Sequence, residues 1–410
     1  MVTLTMTDFM GAHPTAMVKK QKRIESIDLL RGIVMIIMAL DHVRDYFHRD
    51  AFLYEPTDLG RTNAVLFFTR FITHYCAPVF VFLAGISAYL FGAKKTKNEL
   101  AFYLFTRGAW LVLVELFIVS LFRTFNTTYA YFNLQVIWVI GISMIVLAGI
   151  IYLERSLILL TGLLLITAHN LLDHIHVPGN NSFSFLWSLL HDAGYFTFGR
   201  VSVHVHYPLL PWLGIITTGY YMGHLYVPGY DPVKRIRTLL SLGFGSIFLF
   251  IILRSGNFYG DAAHWSVQKN FLFSFLSFIN VTKYPPSLLY SLVTLGPAFI
   301  FLAIAEKKPL NAITRKITIF GRVPMFYYLA HILLIHVLAV IAAVATGYQW
   351  SDMVLSTSVN KTTSLKGYGF NLTTVYIIWA ALILMLYPFC KWYDQYKRTH
   401  QLQKRWLTYL

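Results

Sequence analysis

Four histidines and a lysine are spaced through this sequence so that each stands near the end of a different apolar run. His42 closes the first run, His74 opens the second in THYCAPVF, and His206 opens the sixth in VHYPLLPW. Lys283 precedes the eighth in KYPPS, and His336 lies in the far half of the ninth. An imidazole has an unperturbed pKa of about 6.5, so it exchanges protons near neutral pH, and a neighbouring carboxylate orients the ring and favours its cation. Asp45 is three residues from His42 and shares its helical surface, which makes it the candidate orienting group. Asp41 points elsewhere, either as a cap or as the ion-pair partner of Arg44. Any one of these histidines is more simply a buried, hydrogen-bonded core residue. Convergence from five runs exceeds what packing needs, so the set is read as a site for proton transfer.

The element that must position this set runs from Arg23 to His48, RIESIDLLRGIVMIIMALDHVRDYFH. It is expected to be a membrane-length helix. At roughly 100° per residue, His42 falls about 20° around the helix from Arg31, and Asp28 and Asp45 lie within about 60° of Arg31. One stripe is therefore ionisable along its length. A charge at the centre of a membrane helix costs on the order of 2.5 to 3.5 kcal/mol, so the stripe should face the bundle interior or a wet cavity. Asp28 and Arg31 are three apart and are expected to pair, as a structural ion pair or as the lining for an anionic ligand. Arg322, in FGRVP, enters the ninth run about 40° from His336 and about 21 Å away along one helix, giving a second wet stripe. Arg107 and Glu115 in the third run read as a packing pair.

The 410 residues are 57% hydrophobic and 17% aromatic but only 13% charged, which excludes an ordinary soluble domain. The formal charge of +16 has no soluble basic face to go with it, so no nucleic-acid partner is expected. The fold expected is an all-α polytopic membrane protein of about ten transmembrane helices with both termini cytoplasmic. The runs are 27–47, 71–92, 100–122, 134–153, 156–172, 207–226, 238–253, 286–305, 322–345 and 372–392. With the N-terminus inside, the cytoplasmic links are short and basic and hold about twice the cations found outside. The domains are then a tail over 1–22 with no removable signal, a single transmembrane domain over 23–392, and a basic tail over 393–410. The outer connections 48–70, 173–206, 254–285 and 346–371 are long and rich in aromatics and histidine, so they read as ordered lids. The segment 270–281 is too short to span and reads as a re-entrant or interfacial helix. Cys76 and Cys390 fall at opposite membrane faces, which excludes a disulfide.

Two His-x-His pairs, His174 with His176 and His204 with His206, together with His191, invite a zinc assignment. Their spacing fixes no closed set of four ligands, so no metal is expected. No phosphate-binding Walker loop, dinucleotide fingerprint or Gly-x-Ser-x-Gly elbow occurs in the sequence.

RIESIDLLRG followed by an apolar run and LDH resembles the opening of the heparan-α-glucosaminide N-acetyltransferase catalytic-domain family and, more loosely, other membrane acyltransferases of about ten spans. FFTRFITHYCAPVFVFLAG, HYPLLPWLGIITTGYYMG, TKYPPSLLYSLVTLGPAF and FGRVPMFYYLAHILLIH resemble its bacterial members, and together these segments cover most of residues 23–340. The resemblance implies transfer of an acetyl or similar acyl group from acetyl-CoA or another acyl-CoA to a sugar amine or hydroxyl, on the outer side of the membrane. It also implies a plasma-membrane, multi-pass protein, which in a Gram-negative bacterium would lie in the inner membrane. The chain departs from the animal pattern at His42 and His74, and the animal catalytic histidine maps nearest to His48 in HRDAF. On this reading His42, then His74 and His48, are the candidates for base or acyl carrier, with Asp45 orienting. Lys283, His206 and His336 would meet the substrate, and Asp28, Arg31 and Arg322 the CoA phosphates. Partners are then acyl-CoA, a carbohydrate acceptor and the lipid bilayer, with a homodimer left open. The rival from the same residues is a proton-coupled transporter or a glycan or lipid flippase, and a third reading is an inactive scaffold for envelope assembly.

Overall fold

A computed structural model describes residues 24–400 together with Gln403, Lys404 and Leu407. The tail expected over 1–22 and most of the residues beyond 400 lie outside the described residues. The first half of the chain runs through α1 (Glu25–Phe47), α2 (Ala64–Thr73), α3 (Cys76–Gly92), α4 (Lys97–Leu113), a π-helical turn (Val114–Val119) and α5 (Ser120–Thr124). Then come β1 (Tyr131–Leu134), α6 (Val136–Ile150), α7 (Arg155–Thr167), α8 (Ser182–Leu190), β2 (Gly194–Phe198), β3 (Val201–Val205) and α9 (Leu209–Met222). The second half is α10 (Pro232–Gly256), α11 (Phe271–Ile279), α12 (Leu288–Lys307), α13 (Ala312–Arg322), α14 (Pro324–Ala345) and α15 (Leu372–His400). Many helices begin at a side chain that accepts from the first-turn amides: Asn63, Thr96 in a capping box with Glu99, Asn181, Asp231, Asn270, Ser287 and Asn311.

α1 is the hub, packed against α3, α12, α13, α14 and α15. Apolar burial drives little association between helices inside a bilayer, so close backbone approach at small residues carries the packing. Gly32 of α1 and Gly321 of α13 show this. A Cβ on Gly32 would run into the Ile317 carbonyl, and one on Gly321 into the Asp28 carbonyl.

Among the described residues six helices are long and apolar enough to cross a membrane, where ten spans had been expected: Ala64–Gly92, Lys97–Thr124, α10, α12, α14 and α15. α6 and α7 are apolar but shorter, and α1 carries six Asp, Glu and Arg side chains over its 23 residues. Three expectations change. The run expected over 322–345 is broken at Val323 (φ −125°, ψ 50°), so Arg322 ends α13 and His336 belongs to α14. They are not two points on one helical stripe. The last run continues past 392 to His400, well into the expected tail. A three-stranded sheet stands in a chain read as all-α, with β3 in the centre, parallel to β1 and antiparallel to β2. The short helix expected at 270–281 is α11, and Cys76 and Cys390 are both free and buried.

Candidate functional site

Two cavities lie end to end along α1. The first, of about 330 Å³, opens beside the N-terminal half of α1 and is lined by Arg31, Met35 and Met38, by Tyr103, Arg107 and Leu111 of α4, and by Arg322, Met325, Tyr328 and Lys397 among others. Its lining holds four cations and no carboxylate among the described residues. The second, of about 360 Å³, starts where the first stops: the α1 stripe continues through His42, and the α4 stripe through Glu115 in the π-helical turn. Four carboxylates (Asp41, Asp45, Glu55 and Glu115) face five cations there (Arg44, Arg70, Arg123, Lys283 and Lys361). On α1 the two sets follow one face at Arg31, Met35, Met38 and His42, so Arg31 and His42 are about 16 Å apart along the axis.

His42 stands at the junction. Its Nδ1 is 2.8 Å from Nε2 of His331, the rings lie nearly parallel at 5.0 Å, and the Tyr328 ring meets His42 edge-on at 6.4 Å. His331 Nδ1 is 2.8 Å from the Tyr327 carbonyl, so that nitrogen carries the proton and donates. His331 Nε2 is then the acceptor, and His42 Nδ1 must be the donor. The remaining His42 nitrogen, Nε2, accepts from Arg123 Nη2 at 3.1 Å. A second proton on His42 would face the guanidinium donor, so this network holds His42 neutral with its lone pair on Nε2.

The acidic neighbours of His42 are engaged elsewhere. Asp41 pairs with Arg44 at 2.8 Å and Arg70 at 2.6 Å and accepts from Thr73 Oγ1 at 3.0 Å. Asp45, expected to orient His42, takes Arg44 at 2.7 Å instead, and His331 has the orienting contact. Arg107 and Glu115, expected to pack as a pair, line different cavities.

The sheet forms one wall of the second chamber. Its register aligns Asn133 of β1, His204 of β3 and Tyr195 of β2 in a single row, and all three line the chamber. The Tyr195 and His204 rings stack at 3.8 Å, and Lys361 Nζ lies 3.6 Å from the Tyr195 ring centre. Burial, and then the charge of Lys361, push His204 down to about 4; burial, with His204 and Lys283 adjoining, puts His206 well below the usual imidazole value. Both rings are therefore neutral at physiological pH. Lys283 is placed by its own connection. Asp261 accepts from Thr282 N at 2.9 Å, Thr282 Oγ1 at 2.7 Å and Ser287 Oγ at 2.8 Å, while Arg254 donates to the carbonyls of Ala263, Ser277, Phe278 and Asn280. These charge-assisted bonds order the connection from α10 to α12.

A family model described as heparan-alpha-glucosaminide N-acetyltransferase, catalytic, matches residues 23–254, more than half of the chain. The chain belongs to that family. No curated protein matches it. The family match makes the chain an acetyltransferase-like membrane enzyme, and it spans α1 to α10, which contribute His42, Arg123, Glu115 and the sheet. His331, Lys283 and Arg322 come from the rest of the chain.

Of the residues singled out from sequence, His42, Asp45, His206 and Lys283 share the second chamber, and Arg31 and Arg322 share the first cavity. Asp28 stands behind the first cavity, 3.5 Å from Arg31 and 3.8 Å from Arg322. His74, His48 and His336 line neither. His74 packs between Phe71 and Tyr290, at 6.2 and 5.6 Å. His48 is 4.0 Å from Asp50, and both nitrogens of His336 face carbonyls, of Phe122 at 2.8 Å and Met353 at 2.9 Å. Arg123, Arg70 and His331 were not singled out. The steps of three and four that link Arg31 to His42 and Tyr103 to Glu115 were the available signal.

Proposed function

We propose that this protein is a membrane acyltransferase that receives acyl-CoA in the cationic cavity and passes the acyl group, acetyl or similar, to a sugar amine or hydroxyl in the mixed-charge chamber. The single observation that carries this reading is the position of His42 at the boundary between the two cavities, with one nitrogen pinned by His331 and the other presenting a lone pair. Arg31, Arg107, Arg322 and Lys397 suit the phosphates of the donor, and the Met- and Leu-lined length beyond them suits its uncharged arm. Tyr195, Tyr284, Asn133, Asn360 and Lys361 offer aromatic faces and hydrogen-bonding groups of the kind a sugar needs.

In this mechanism the acceptor takes the place of Arg123 on His42 Nε2. His42 removes its proton as the nitrogen or oxygen attacks the thioester carbonyl, and the displaced guanidinium meets the oxyanion that forms. The C–S bond then breaks and His42 returns the proton to the CoA sulfur, so the products are free CoA and the acylated acceptor. Lys283 and His206 hold the acceptor on the opposite wall. The membrane concerned is the plasma membrane, with both termini in the cytoplasm.

Purified wild type should release CoA from acetyl-CoA in the presence of an amino-sugar acceptor. His42→Ala should lower that rate by about a hundredfold or more. Equal turnover by the two proteins removes His42 from the mechanism. Counterflow of unchanged sugar in proteoliposomes, without CoA release, would replace the enzyme by the transporter reading.

A further inference from the structure

Away from both cavities, His169, Asp173 and His191 meet where the connections after α7 and α8 come together. His169 opens the 3-10 turn that follows α7, Asp173 ends that turn, and His191 caps the C-terminus of α8. One ligand atom from each lies within 4.8 Å of the others, and His191 Nε2 is 3.3 Å from Asp173 Oδ1. Both histidines are 3% exposed. Nδ1 of His191 and both ring nitrogens of His169 make no hydrogen bond of good geometry, with the Pro286 backbone a polar neighbour of His169 besides Asp173 and His191. A buried imidazole left unbonded costs about 1 to 3 kcal/mol per lost partner, and an ion bound through one nitrogen of each ring would relieve that cost at His169.

We propose that His169, Asp173 and His191 bind a divalent first-row cation, with Zn2+ the best fit, through two imidazoles and one carboxylate with water completing a tetrahedron. Bonds of about 2.0 to 2.2 Å put tetrahedral ligands roughly 3.4 Å apart, which the Asp173 to His191 separation already meets. The widest pair, within 4.8 Å, has to close by up to about 1.4 Å. The carboxylate is supported from behind: Asn170 Nδ2 donates to Asp173 Oδ2 at 2.8 Å, and Asn170 Oδ1 accepts from Leu288 N at 2.9 Å. An ion here fastens the α8 cap to the end of α7 and the start of α12, so its role is structural and independent of the transfer chemistry.

The test uses the full-length chain in detergent, free of any polyhistidine tag and stripped with chelator. Co2+ should give a saturable tetrahedral visible spectrum at one equivalent, and Zn2+ should displace it and raise the thermal midpoint. Asp173→Asn, which keeps side-chain size, and His191→Gln should each weaken the apparent affinity by about tenfold or more while eluting as the same species in gel filtration. The exposed pair His174 and His176 serves as control, and His174→Ala with His176→Ala should leave the titration unchanged. No saturable spectrum, or equal Zn2+ stabilisation of wild type and Asp173→Asn, overturns the site.

Discussion

In the proposed mechanism His331 acts only through His42. With its Nδ1 proton given to the Tyr327 carbonyl, it fixes which nitrogen of His42 is basic. Removing that acceptor frees His42 to take the other tautomer, whose Nε2 proton would face Arg123. His331→Phe preserves the ring volume and the stacking against Tyr327, 5.0 Å away, yet should lower kcat about a hundredfold with little change in KM for acyl-CoA. His331→Gln packs less well but restores an acceptor, and should recover part of kcat. Steady-state kinetics on the two variants decide it: if Phe is tolerated and Gln is not, His331 is a packing residue. The sequence pointed to Asp45 as the partner of His42, because i,i+3 proximity on one helix is legible in a sequence and contact across 289 residues is not. His336 was singled out by its place in the far half of the ninth run, and the break at Val323 removes the stripe it was expected to share with Arg322.

At the scale of elements, the sheet does what no single helix could: its register brings Asn133, His204 and Tyr195 into one row from three separate segments. β1 and β3 are parallel and some seventy residues apart, so strand alternation within either one gives no register between them. The π-helical turn at Val114–Val119 was equally hidden, since an apolar run reads alike in α and π windings. By contrast, the apolar runs, the ionisable stripe of α1 and the short α11 were readable from periodicity alone. The row also carries a titration. His204 has a folded-state pKa of about 4, held down by burial and by Lys361, against about 6.5 when unfolded. The stability it contributes is therefore complete above about pH 6.5 and is lost as pH falls towards 4, because the unfolded chain takes up the proton first. The thermal midpoint of wild type should fall between pH 7 and pH 5, and His204→Gln should flatten part of that fall. Parallel pH dependence in the two proteins would show that the sheet does not hold His204 neutral.

For the whole molecule, the decisive geometry is that the cavities are stacked along α1 rather than placed side by side. The cationic cavity belongs to the N-terminal half of α1 and the mixed-charge chamber to its C-terminal end, with His42, His331 and Tyr328 between them. Acyl-CoA carries several phosphates and does not cross a bilayer, so under the proposed function it would have to approach from the end where Arg31, Arg107, Arg322 and Lys397 gather. A polar sugar acceptor is equally unable to cross and, under the same proposal, would have to enter from the other. The two substrates should therefore be required on opposite sides of a sealed membrane. In vesicles oriented with the α1 N-terminus outward, external acetyl-CoA should acylate an amino sugar trapped in the lumen while free CoA remains outside. The same two reagents placed together on the outside should give no product, and detergent should restore it. Product formed only when both share one side would mean that the stacked cavities are not a path for the acyl group, and would move the chemistry away from His42 altogether.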